Sequence, residues 1–184
     1  MNEKLLNNFL PSAIWIGYHL AIPQWSFSAL SLLMLVRAFV ILWLFVNREL
    51  PILRASYYQI VIAWISTFLP VLMIWDSQDS AQALLGQLTA IGGMVLFIFS
   101  ALDLGKSFGV SPAVRSPIQS GIYKYLSHPI YFAHIVVEVG ILIASPTMWN
   151  ACIVVVAWSL YILRARWESQ ILRRYLNESI KISL

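Results

Sequence analysis

IYFAHIVVEVGILIA-SPTM-WNACIVVVAWSLYIL, from Ile130 to Leu163, is the stretch that decides the fold. Two apolar arms of about 15 residues flank Ser145-Pro146-Thr147-Met148, and so short a polar break between apolar runs reads as a tight helical hairpin. Each arm makes roughly 22 Å of helix, less than a ~30 Å hydrocarbon core, so the arm ends are expected to reach the headgroup layer. The second arm is expected to continue as a helix into water, because Arg164 to Tyr175 contains neither Gly nor Pro.

The rest of the chain has the same character. Of its 184 residues 60% are hydrophobic and 11% charged, against about a quarter charged in ordinary soluble domains. Mean hydropathy is +0.77. Further apolar runs lie at about Leu10–Leu20, Ser28–Val46, Tyr57–Trp75 and Ala83–Leu102. The expected fold is all-α: one polytopic transmembrane bundle over residues 1–184, with five to six spans and the hairpin at its end. The uncertain span is the first, which is short and contains His19.

Basic residues test this division. With six spans and both termini inside, the inner segments hold Lys4, Arg48, Arg54, Lys106, Arg115, Lys124, Arg164, Arg166, Arg173, Arg174 and Lys181. Arg37 falls within a span, and the outer loops carry only Asp76 and Asp79. That partition follows the positive-inside rule and predicts a multi-pass protein, of bacterial inner-membrane type, with cytoplasmic termini. The net charge of +4 therefore reports topology, and nucleic acid is not an expected partner. A cleavable signal peptide is not expected, since the charged end is weak and Pro11 breaks the first apolar stretch. The single Cys152 excludes a disulfide within the chain and is expected to be a buried, inert thiol.

Two chemically rich regions fall on the inner side: a connector, 103–128, and an exit helix, 164–184. The hairpin brings His128 and Arg164 to one membrane face. The connector runs into α-helical sequence through GIYKYLSHPIY, Gly121 to Tyr131, where Pro129 suits the first turn of a helix. Taken singly these residues have plainer readings. Tyr123, Tyr125 and Tyr131 fit an aromatic belt, and Arg164–Glu168 fits a spacing-four pair on a solvated face. Arg37 and Glu138 are charges within spans, where cost makes a buried pair or a cavity-lining role the expectation. His134 is positioned to face the same cavity. His19, His128 and His134 lack ligand spacing, so no metal is expected. Neither a dinucleotide fingerprint, nor a P-loop, nor a Gly-x-Ser-x-Gly elbow occurs.

The segment from Leu104, LGKSFGVSPAVRSPIQSGIYKYLSHPIYFAHIVVEVG, resembles the isoprenylcysteine carboxyl methyltransferase family and its bacterial relatives. The resemblance rests on Gly121, Tyr123, Lys124, Tyr125, His128, Pro129 and Tyr131, on Arg164 and Glu168 after the hairpin, and on STFLP at Ser66–Pro70. It implies methyl transfer from S-adenosylmethionine to a lipophilic acceptor at the cytoplasmic face. Carried over by position, Arg115, Ser116, Pro117, Ile118, Tyr123, His128, Pro129, Ile130 and Tyr131 would line the cofactor pocket. Glu168 would meet the cofactor's amino-acid end. Arg164 would hold the acceptor, with Glu138 as a second substrate residue, and Arg164 and His128 are the catalytic candidates. Two alternatives stay open: an NADPH-dependent membrane reductase of sterol-reductase type, and a non-catalytic relative.

Overall fold

A computed structural model describes residues 3–21, 29–75, 80–115, 118 and 120–183. Ser116 and Pro117, and the loop carrying Asp76 and Asp79, lie outside them. About 80% of the chain is helical; the described residues form six α-helices: α1 (Glu3–Ala21), α2 (Ala29–Asn47), α3 (Tyr57–Phe68), α4 (Ala81–Leu104), α5 (Pro129–Ala144) and α6 (Met148–Ser183). All six lie on the apolar runs, and α6 continues well past Leu163. Two helical stretches, Ala81–Ser107 and Met148–Tyr175, are long and apolar enough to cross a membrane; Leu32–Asn47, Tyr57–Leu72 and Pro129–Ala144 are shorter. Large apolar side chains, among them Leu32, Phe39, Leu84, Leu88, Phe99 and Val155, point away from the protein. Proteins in water rarely leave such surface uncovered, and hydrocarbon suits it.

Local chemistry sets the ends of the helices. Ser80 caps α4, its Oγ accepting from Ala83 N at 3.0 Å. Gly105, at φ 49°, ends it. Pro70 lacks the N–H that would continue α3, and the chain tightens there into a 3₁₀ turn, Leu69–Leu72.

Close packing is concentrated between α4 and α5. A Cβ on Gly86 would lie 2.5 Å from Gly140 O, one on Gly93 would lie 2.7 Å from Val137 N, and one on Gly140 would lie 2.5 Å from Ala90 N. Glycines along this seam let two backbones touch, the usual arrangement where lipid offers no hydrophobic drive between helices. The seam is closed at one end by Gln82 Nε2, which donates to Ile143 O at 2.8 Å.

Polar ties hold the two ends of the bundle. At one, the fully buried Asn150 accepts from Ile74 N at 2.8 Å and donates to the carbonyls of Ile74 and Ser145 at 2.9 Å. At the other, β1 (Leu53–Arg54) pairs antiparallel with β2 (Ala113–Val114), a two-residue ribbon in an otherwise helical fold. Glu49 N donates to Lys106 O at 2.9 Å beside it. Arg48, Arg54, Lys106 and Arg115 thus gather at the ribbon end, the end that also carries the connector. α1 joins the bundle through Asn8, whose Nδ2 donates to Val46 O at 3.0 Å, and through Trp15, whose Nε1 donates to Ala38 O at 3.1 Å.

Cys152 corrects an expectation: its side chain is exposed on α6. Apolar neighbours in sequence do not distinguish a protein-facing position from an outward one.

Candidate active site

The connector is held against α4 by one carboxylate. Asp103, at the end of α4, accepts from Ile122 N at 2.8 Å. Gly121, at φ 58°, turns the chain where any Cβ would run into that carboxylate. The resulting 3₁₀ turn, Gly121–Lys124, leaves Tyr125 exposed and Tyr123 half-buried. Burial, then the Glu168 and Asp103 carboxylates, raise the Tyr123 hydroxyl well above an ordinary phenol.

His128 occupies the N-cap position of α5, with Pro129 buried at the first helical position. Phe132 N donates to His128 O at 3.2 Å, the first helical bond. Three residues on, Tyr131 shares the His128 face, with ring centroids 5.6 Å apart. From α6, Glu168 meets both. Its Oε1 accepts from the Tyr131 hydroxyl, and its Oε2 lies 3.4 Å from His128 Nδ1. Both side chains keep about a third of their surface open, His128 32% and Glu168 30%.

Arg115 closes the group from the connector. Its Nε donates to Glu49 O at 3.2 Å, and its guanidinium lies against Gly109, where a Cβ would be 2.5 Å from Nη1. Burial and repulsion from Arg54 lower it to about 10, while the Glu168 carboxylate pulls the other way. The structure therefore brings Arg115, Tyr123, His128 and Tyr131 around Glu168. Ile118 is half-buried in the connector.

On the other side of Tyr131 is a narrow crevice, partly open to the outside, whose lining includes Trp15, Arg37, Phe97, Ile130, His134 and Arg164. Arg164 is buried, with its guanidinium over the Tyr131 ring at 4.9 Å. It does not pair with Glu168 one turn along. It donates to Ser66 Oγ at 2.8 Å, Thr67 Oγ1 at 3.3 Å and Val110 O at 2.5 Å, which leaves Nε without a partner. Arg164 thus joins α3, the connector and α6 while facing the crevice.

Glu138 is placed elsewhere. Its oxygens accept from Trp158 Nε1 at 2.7 Å and from Tyr161 Oη at 2.6 Å, a buried seam between α5 and α6. Arg37 lies over the rings of Trp15 and Phe97, at 5.4 and 4.7 Å. The pair expected between Arg37 and Glu138 is replaced by these contacts, and Glu138 does not line the crevice.

Sequence reasoning passed over Asp103, Trp158 and Tyr161. A signal for the last two was present: Trp158, Tyr161, Ala165 and Glu168 recur at spacings of three and four, one face of α6. Asp103 gave no such sign.

Residues 81–179 match the family described as phospholipid methyltransferase, a span that holds every member of the cluster around Glu168. No curated protein and no solved structure matches the chain.

Proposed function

The chain belongs to the phospholipid methyltransferase family, and from that premise we propose that it moves a methyl group from S-adenosylmethionine to a lipophilic acceptor at the cytoplasmic membrane surface. The observation that carries the reading is the gathering of Arg115, Tyr123, His128 and Tyr131 about the half-open carboxylate of Glu168.

The residues present fit such a cofactor. An ionised carboxylate only accepts hydrogen bonds and suits an ammonium, and a planar guanidinium suits a carboxylate. Glu168 and Arg115 therefore match the two ends of a zwitterionic amino acid, while the half-buried Tyr123 offers a ring to a base or a cationic sulfur. Bound, S-adenosylmethionine supplies an electrophilic methyl group on a sulfonium.

The remaining work is positional. Methyl transfer is an in-line displacement, governed by alignment and exclusion of water. Tyr131, fixed by its bond to Glu168 and by stacking on Tyr161 with centroids 5.7 Å apart, forms the partition between the cluster and the crevice. The acceptor's reactive end would enter the crevice beside Arg164 while its apolar tail stays in lipid. In this reading the protein is multi-pass, the six helices act as its spans, and the ribbon end with its arginines is cytoplasmic.

The test is ligand-dependent thermal stability in detergent. S-adenosylhomocysteine is expected to stabilise the protein, and Glu168→Gln to weaken its binding about tenfold or more, or about 1.4 kcal/mol. Stabilisation by NADPH in place of S-adenosylhomocysteine would overturn the reading.

A further inference from the structure

We propose that the outward face of the chain from Leu50 to Tyr58 is a binding surface for the headgroups of anionic phospholipids, with Arg54 as its phosphate contact. Nothing in it depends on methyl transfer; the bundle need only lie in a bilayer.

Backbone geometry sorts the side chains of this segment. Ile52 N donates to Val114 O at 2.8 Å and Ala55 N to Pro112 O at 3.2 Å, so the chain runs extended along β2. Side chains of an extended chain alternate between two faces. Ile52 and Arg54 are exposed, whereas Leu53 and Ala55 are half-buried. Leu50 extends the exposed set backwards, and Tyr57 and Tyr58 follow it at the start of α3. Ile52 keeps 57% of its surface open and Tyr57 82%. Tyr58 is tied down against Trp167 of α6, edge to face at 5.7 Å. This mixture suits one environment. Water penalises exposed leucine, isoleucine and tyrosine rings side by side, and hydrocarbon penalises the Arg54 charge. At the boundary the apolar groups reach acyl chains while the guanidinium stays among phosphates.

Charge then selects the lipid. RELPILRASYY, Arg48 to Tyr58, holds two arginines and one acid, Glu49. The backbone sets two more cations beside it: Glu49 N donates to Lys106 O at 2.9 Å, and Arg115 Nε donates to Glu49 O at 3.2 Å. Burial, then the Arg115 and Arg54 charges, lowers Arg48 to about 10. Arg54 acts in the same sense on Arg115, which Glu168 offsets from α6. An anion at the exposed Arg54 therefore relieves repulsion across the group, and a guanidinium can hold a phosphate through two parallel hydrogen bonds. A zwitterionic headgroup brings its own cation into this cluster, whereas an anionic headgroup does not. Free phosphate has the charge but lacks the acyl chains that would lie against Leu50 and Ile52.

The experiment follows the thermal midpoint of the full chain in a non-ionic detergent as phosphatidylglycerol, phosphatidylcholine or inorganic phosphate is added. Phosphatidylglycerol is expected to raise the midpoint at lower concentration than phosphatidylcholine, and inorganic phosphate is not expected to replace it. Arg54→Gln, at an exposed position, is expected to need about fivefold more phosphatidylglycerol, the worth of one basic residue at an anionic surface. Its response to phosphatidylcholine is expected to match wild type. Sodium chloride at about 0.5 M is expected to remove most of the wild-type preference, and that arm needs no variant. In nanodiscs, a nitroxide attached at Ile52→Cys in a Cys152→Ser background is expected at the headgroup–acyl boundary, read from its accessibility to oxygen and to a nickel chelate. Equal responses to the two lipids, an Arg54→Gln titration like wild type, a preference that survives the salt, full replacement by inorganic phosphate, or a label in bulk water would each overturn the proposal.

Discussion

Glu138 shows how one buried side chain can hold two helices together. It is 1% exposed, and both donors it serves, Trp158 and Tyr161, come from α6. Glu138→Ala would leave an indole N–H and a phenol O–H facing apolar surroundings, and each unsatisfied donor costs about 1–3 kcal/mol. Glu138→Gln retains one acceptor oxygen and is expected to lose less. Thermal unfolding in detergent is therefore expected to rank wild type above Glu138→Gln above Glu138→Ala. If Glu138→Ala melts with the wild type, the seam does not stabilise the fold. Sequence marked Glu138 as unusual because a charge inside an apolar run always is. It could not tell a partner from a substrate, because Trp158 and Tyr161 are unremarkable members of another apolar run.

At the scale of the elements, the α4–α5 seam makes a sharper claim than any single contact. Gly140 has no room for a methyl group, whereas a Cβ at Gly92, in the same glycine-rich part of α4, would meet nothing within 4 Å. Gly140→Ala is expected to cost about 1–3 kcal/mol by pushing the helices apart. Gly92→Ala, which removes only backbone freedom, is expected to be neutral or to stabilise by about 0.5–1 kcal/mol. Paired unfolding curves decide it; equal effects would mean the seam is not close-packed. The helices were legible as apolar runs, the first of them short, and the start of α5 followed Pro129. Their neighbours were not. α5 follows the connector and precedes the short turn to α6, yet its tightest partner is α4, through glycines that hydropathy reads only as gaps. The ribbon at Leu53–Arg54 and Ala113–Val114 was equally silent, being two residues long on each side.

For the whole molecule the question is what surrounds it. Cys152 faces outward on α6 beside Val155 and Val156, which are also exposed. In lipid that thiol meets hydrocarbon, where the reactive thiolate does not form. A membrane-impermeant maleimide is expected to leave Cys152 unmodified in native membranes and to label it after denaturation in SDS. Rapid labelling of the native protein would place that face of α6 in water. The approach of His128 to Glu168 was legible from chain order, since a short turn between two apolar arms returns α6 to the end where α5 began. What joins the other members of the site was not legible. The Asp103–Ile122 contact that seats Tyr123, and the turn of Arg164 toward Ser66 and Val110, depend on how the connector folds back, and a polar loop sequence carries no periodicity to reveal that.

Tyr131 belongs to two compartments at once: its ring walls the crevice, and its hydroxyl is bonded to Glu168 on the other side. A guest that shifts the ring in the crevice disturbs the carboxylate, and a guest held by the carboxylate stiffens the ring. Linkage makes such an effect symmetrical: by whatever factor acceptor binding changes cofactor affinity, cofactor binding changes acceptor affinity by the same factor. Whichever of the two proposed ligands arrives first, one phenol would carry its effect to the other site.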